Sequence, residues 1–138
     1  DAQLTLSQRA SLSGAVIVST PQDLALIDAR KGLNMFRKVD VPILGIIENM
    51  SYFICPDCNS RHDIFSTGGA KQEAEKLNVA FLGEIPLDIT IRQTSDTGNP
   101  IVATKPENPH SKAYSSIAHK IWNSLQSQNL KGPAIIIE

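Results

Sequence analysis

The alternation of short β-branched runs with helix-periodic segments is what limits the fold of this chain most. Residues 14–36 read GAVIVSTPQDLALIDARKGLNMF. Ala15 to Ser19 suits a strand buried on both faces of a parallel sheet. Thr20 then fits a helix N-cap, Pro21 the first helical position, and Asp23 the far end of a capping box. Leu26, Ala29, Leu33 and Phe36 recur at helical spacing and offer one apolar face to the sheet. The unit repeats. VPILGIIEN reads as a second buried strand ending near Glu48 and Asn49, TGGAKQEAEKLN as a helix, and VAFLGEIP as a third strand. PLDITIRQTSDTG reads as a loop and short helix stopped at Gly98-Asn99-Pro100. Asn108 and Pro109 open a last helix with a stripe of Tyr114, Ile117, Ile121 and Leu125, and Trp122 beside it. The terminal GPAIIIE fits a strand or a tail. Strands alternating with helices imply βαβ crossovers, so the expected class is α/β, a parallel sheet with helices on both faces.

Ligands of such sheets sit beyond the carboxyl ends of the strands. Here those ends are Ser19-Thr20, Glu48-Asn49-Met50 and Glu84-Ile85-Pro86. ENMSYFICPDCNSRHDIF, residues 48–65, leaves the second of them and holds both cysteines of the chain, Cys55 and Cys58, as C-x-x-C. Two thiolates are half of a four-ligand set, and four readings stay open. Zinc needs further ligands, and Cys55, Cys58 and His62 make three. A redox pair needs a helix start at the first cysteine, which YFICPDCNSRH does not resemble. The pair can be inert. A four-thiolate iron–sulfur cluster is met if a two-fold axis presents the same pair twice. Asn49 carries a donor and an acceptor at a strand end, suited either to reading a base edge or to a turn. Asp88, Arg92 and Asp96 lie beyond the third strand and fit a crevice lining or a solvated helix equally.

Net charge is -1 and no basic stripe is present, so nucleic acid is not an expected partner. No apolar run approaches the length of a bilayer span, so no membrane is expected either. Neither G-x-x-x-x-G-K-[ST] nor G-x-G-x-x-G occurs, and STGGAK has the wrong spacing for a phosphate loop.

GAVIVSTPQDLALIDARKGLNMF, VPILGIIENMSYFICPDC and GEIPLDITIRQTSDTGNPIV, with the opening DAQLTLSQ, closely resemble the Mrp/ApbC family. These are iron–sulfur cluster carriers among the deviant P-loop ATPases related to MinD and ArsA, with mitochondrial members that serve assembly of respiratory complex I. The likeness runs to about Val102 and more loosely over the last helix. It implies a [4Fe-4S] cluster bridging two subunits through Cys55 and Cys58, a homodimer, and apo iron–sulfur proteins as recipients. It matches Asn49 to an adenine contact and Pro86 to Asp88 to the base pocket. Asp1 matches an acidic residue near the switch region. It implies ATP and Mg²⁺ as cofactors, and the Walker A loop that holds them belongs to an N-terminal half that residues 1–138 lack. The chain, which opens as if inside an α/β domain, is therefore expected to be the C-terminal half of one ATPase domain and not to hydrolyse ATP efficiently by itself. A sheet edge and an apolar face should be uncovered. The expected compartment is the cytoplasm, with the mitochondrial matrix as alternative.

Overall fold

The structure, a computed structural model, describes residues 2–129. Asp1 and the GPAIIIE segment lie outside the described residues. The elements in chain order are α1 (Ala2–Arg9), β1 (Ala15–Ser19), α2 (Asp23–Lys38), β2 (Ile43–Glu48), β3 (Phe53–Ile54) and β4 (Arg61–His62). They continue with α3 (Gly69–Lys76), β5 (Phe81–Glu84), α4 (Ile89–Asp96), α5 (Ile101–Thr104) and α6 (Pro109–Asn129). Strands β1, β2 and β5 form a parallel sheet in the order β1-β2-β5, and β3 pairs antiparallel with β4.

Side chains alternate across the sheet, and each face meets helix. On one side Ile17 and Ile46 pack with Leu26 and Leu33 of α2 and Ala70 and Ala74 of α3, all buried. On the other, Val16 and Ile47 meet Leu82, Ile85 and the α6 residues Tyr114, Ile117 and Ile121. The expected α/β class with helices on both faces is the one observed. Strand β1 has no partner on its outer side among the described residues, and Val18 is 58% exposed there. A groove of about 760 Å³ follows this edge between β1, α2 and Gln3 of α1.

A staircase of glycines lets the layers approach. A methyl at Gly14 would lie 2.7 Å from Leu44 Cγ, at Gly45 2.6 Å from Leu82 Cγ, and at Gly83 2.9 Å from Ile117 Cγ1. Leu44 and Leu82 are the extra residues at the two register shifts of the sheet, and each is followed by a glycine with φ of 152°. The repeated Leu-Gly thus marks two bulges that swing a leucine over the preceding strand.

The start of α2 differs from the sequence reading. Gln22, not Thr20, is its N-cap and makes no side-chain capping bond. Thr20 Oγ1 instead bonds Gln22 Oε1 at 3.0 Å, and buried Pro21 presses its carbonyl against Gly69, where a Cβ would come within 2.8 Å. Packing against the head of α3 holds residues 20–22 in a bend and delays the helix. At α6 the expectation holds: Asn108 Oδ1 accepts from His110 N at 2.9 Å.

Helices α2 and α3 are joined by Arg30, which donates to both oxygens of Glu73 at 3.0 and 2.7 Å, with Lys76 Nζ 3.7 Å away. Glu73 is buried, and its hydrogen bonds from Arg30 hold its carboxyl below the usual carboxylate range against the opposing effect of desolvation. A depressed folded-state value contributes stability above the unfolded value and loses it as pH falls through the folded one. Glu73→Gln should therefore melt earlier than the parent at neutral pH, with the gap closing as pH drops below the carboxylate range. Thermal melts across pH read this; a gap constant with pH would contradict it.

Candidate metal centre

The chain leaves the sheet at Glu48 and re-enters regular structure at Gly69. The excursion between is a short hairpin. Phe53 pairs with His62 and Ile54 with Arg61, and Cys55 N–H donates to Ser60 carbonyl at 2.9 Å. Asn59 N–H closes the turn on Cys55 carbonyl at 2.9 Å, with Asn59 in the left-handed region at φ 58°. The six residues of CPDCNS make one tight loop, so both thiols ride on the tip of a rigid ribbon. Arg61 stacks over the Tyr52 ring at 4.4 Å and bonds Asp63 Oδ1 at 3.0 Å, which braces the ribbon's base.

Cys55 is half-buried and Cys58 exposed, and both are free thiols. Cys58 Sγ lies 3.2 Å from Ser60 Oγ. Hydrogen bonds from the Ser60 side chain first, then from the Ser60 backbone and Cys55, pull the Cys58 thiol below its ordinary range. That favours the thiolate, the form that ligates metal. Ser60→Ala should raise the pH at which Cys58 becomes reactive. The alkylation rate of a Cys55→Ser background, followed against pH, would show an upward midpoint shift; an unmoved midpoint would remove Ser60 from the account.

His62 is not gathered with the pair. It sits on β4 with its ring 6.4 Å from that of Phe53, and among the described residues no cluster of three or more His, Cys, Asp and Glu side chains is present. A three-ligand site of Cys55, Cys58 and His62 is not assembled within one chain.

Asn49 sits where β2 ends. Its N–H donates to Ser19 carbonyl at 2.7 Å, and its Oδ1 accepts from Met50 N at 2.9 Å, where Met50 adopts φ 52°. The turn reading of Asn49 is thus realised on the oxygen, while the amide donors are not used by it. With Val18, Ile47, Ile85, Tyr114 and Ile117 it lines a cleft of about 130 Å³. Buried Pro86 and half-buried Asp88 lie on the adjoining segment, which is zipped to the cysteine excursion: Ser51 N–H donates to Ile85 carbonyl at 3.0 Å and Leu87 N–H to Tyr52 carbonyl at 2.8 Å. Asp88 is the N-cap of α4, its Oδ1 accepting from Thr90 N and Ile91 N at 2.8 and 3.3 Å, and its Oδ2 meets His110 Nε2 at 3.2 Å. Arg92 and Asp96 form an exposed i,i+4 pair on α4.

Glu48 was legible in the sequence only as a strand end. It is 0% exposed, and its carboxylate accepts from Ser51 Oγ at 2.7 Å, Gly68 N at 3.3 Å and Ala70 N at 3.0 Å. It fills the N-terminus of α3, the place where STGGAK superficially suggests a phosphate loop. Glycines at Gly68 and Gly69, with no capping side chain of their own, were the available signal that a cap comes from elsewhere.

A family model described as NUBPL iron-transfer P-loop NTPase (ParA) matches residues 1–122. The iron-sulfur cluster transfer protein NUBPL of Dictyostelium discoideum is 51% identical over 99% of this chain and 44% of its own length. The iron-sulfur cluster carrier protein of Haemophilus influenzae is 50% identical over 99% of the chain and 37% of its own. The Arabidopsis thaliana iron-sulfur protein required for NADH dehydrogenase, mitochondrial, is 52% identical over 91% and 40% respectively. The chain thus spans about two fifths of the length of these curated relatives. Among solved structures, a nucleotide-binding protein in complex with ADP from Archaeoglobus fulgidus superposes with TM-score 0.65 at 40% identity, over 78% of this chain and 43% of that one. The Pyrococcus furiosus cell division ATPase MinD superposes with TM-score 0.64 at 28% identity, over 81% and 43%.

Proposed function

The chain belongs to the family of NUBPL-type iron-transfer P-loop NTPases, and from that premise we propose that it is the cluster-bearing C-terminal half of an ATP-dependent iron–sulfur carrier. The observation that supports this reading is the hairpin tip: two adjacent free thiols, one exposed, presented beyond the carboxyl end of the central strand. The cargo is a [4Fe-4S] cluster. Two copies of the chain related by a two-fold axis supply Cys55 and Cys58 twice, the four thiolates such a cluster takes. Met50, Ile54 and Ile64, exposed on the segment that carries the thiols, provide the apolar contact of the two copies. A cluster held at the rim by two exposed and two half-buried sulfurs, with no fully buried ligand, is kinetically able to leave for an apo-protein whose own thiols replace them one by one.

Asn49 supplies the free amide donors for an adenine edge, and the Pro86–Asp88 segment forms the neighbouring wall, with Asp88 acting through the N-cap of α4 rather than by a free carboxylate. The phosphates and Mg²⁺ belong to the N-terminal half of the domain, docked on the open β1 edge. Because residues 85–87 are hydrogen-bonded to residues 51–52, a base that moves the first moves the root of the hairpin. This is how nucleotide state reaches the cluster. A reducing compartment suits the free thiols, either the cytoplasm or the mitochondrial matrix.

The test is transfer. The chain reconstituted anaerobically is mixed with an apo-protein that requires a four-iron cluster, with a chelator present to trap free iron. Activation of the acceptor faster than the chelator intercepts iron supports a carrier; activation abolished by the chelator contradicts it. A second reading, a zinc module, is favoured by no observation beyond the cysteine pair itself.

A further inference from the structure

We propose that Glu48 is the positioning residue of the cysteine hairpin, a reading that rests on Cys55 and Cys58 being the cluster ligands. A helix N-terminus is ordinarily capped by the residue next to it. Here Gly68 and Gly69 stand at that point, and the cap comes from a strand 20 and 22 residues earlier in the chain. The same carboxylate also takes the Ser51 hydroxyl, a bond the cap itself does not need. Ser51 stands on the entry limb of the excursion and Gly68 is its last residue, so one buried anion holds both limbs of the segment that carries the thiols. Glu48 and Ser51 are both 0% exposed, so the joint is dry and its hydrogen bonds are strong. The entry limb has backbone bonds as well, from Ser51 N and to Tyr52 carbonyl. The exit limb reaches the strand through Glu48, whose two bonds to Gly68 N and Ala70 N fix where the ribbon returns. The distance between the limbs, and with it the direction of the thiol tip, is set at this carboxylate.

Glu48→Gln keeps the volume and one accepting oxygen. Its amide NH2 can donate to Ser51 Oγ while the oxygen serves Ala70 N, which leaves Gly68 N facing a donor. The exit limb is released and the cap is largely kept. Glu73→Gln, on the same helix but bonded to Arg30 of α2 and not to the excursion, serves as a control that weakens α3 without touching the thiol-bearing segment. Two readouts are taken on the 138-residue chain: amide hydrogen exchange without cluster, and the rate at which a chelator strips iron from the reconstituted form. Glu48→Gln should speed exchange across residues 52–67 and stripping by about tenfold, the scale seen when outer-shell support of metal ligands is lost. Glu73→Gln should do neither, whatever it does to the melting temperature. Equal behaviour of the two variants overturns the proposal. If Glu48→Gln does not fold, Ser51→Ala, which leaves the α3 cap in place, is read the same way, with wild-type exchange and stripping as the overturning result. A parent chain that takes up no cluster would sink the carrier reading alone, because the exchange experiment still decides the role of Glu48.

Discussion

Cys55→Ser is expected to remove nearly all iron retained after reconstitution, by more than the roughly 10–100-fold that loss of an outer-shell partner costs a metal site. The same holds for Cys58→Ser. In the proposed symmetric dimer each single substitution deletes two of four ligands and the double variant all four, so the double variant should retain no more iron than either single one. The fold should not notice. Both cysteines sit on a hairpin tip outside the two apolar clusters, and surface changes of this kind usually move stability by within about 0.5 kcal/mol. Iron retention and thermal melts measured on the same samples separate the two effects. A variant that keeps its iron would show that the cysteines are not the ligands. One that loses iron together with several degrees of melting temperature would assign them a structural role.

The largest stability effect is expected at Gly45. Its φ of 152° is a conformation that L side chains rarely adopt, and an added methyl would meet Leu82 Cγ at 2.6 Å and the Ala80 carbonyl oxygen at 2.7 Å. The first contact is with a buried core side chain and the second with backbone of the neighbouring strand, so neither yields cheaply. Backbone strain of about 1–3 kcal/mol adds to overpacking of about 1–3 kcal/mol, giving a loss on the order of 4 kcal/mol for Gly45→Ala. For a chain this size that is a substantial part of the whole stability, which runs to about 5–15 kcal/mol in ordinary domains. Gly32→Ala, on α2 with nothing within 4 Å of the new methyl, is the matched control and should be neutral or stabilising. Chemical denaturation of both variants gives the comparison; a Gly45→Ala midpoint equal to the parent's would remove the bulge packing from the account.

The alternation of strand and helix is readable because β1 and β2 are short apolar runs rich in Val and Ile and α2 keeps a clean apolar face at Leu26, Ala29, Leu33 and Phe36. Both are local patterns, and local patterns survive in a sequence. The start of α2 was misplaced for a non-local reason, the press of Pro21 on Gly69, which no capping rule contains. Helices α1 and α5 were not anticipated. The first buries no residue and so writes no apolar stripe, and the second is only four residues long. The cysteine hairpin was legible as a loop with two thiols, but its ribbon of two-residue strands was too short to show alternation. The role of Glu48 is not legible in the sequence because its partners lie 20 and 22 residues on, and an acidic residue at a strand end has no local signature of burial. Asp88, expected on the wall of the base pocket, is also the N-cap of α4, its carboxylate hydrogen-bonded to Thr90 and Ile91 and facing His110, which a motif match does not show.

The central claim is that two copies of this chain share one cluster through Cys55 and Cys58 of each. The most direct measurement is anaerobic reconstitution with iron and sulfide, reading iron, sulfide and molar mass on one sample. About two irons and two sulfides per chain, in a brown species of twice the chain's mass, is the expected result. A colourless monomer, or iron bound one per chain with no change in mass, would contradict it.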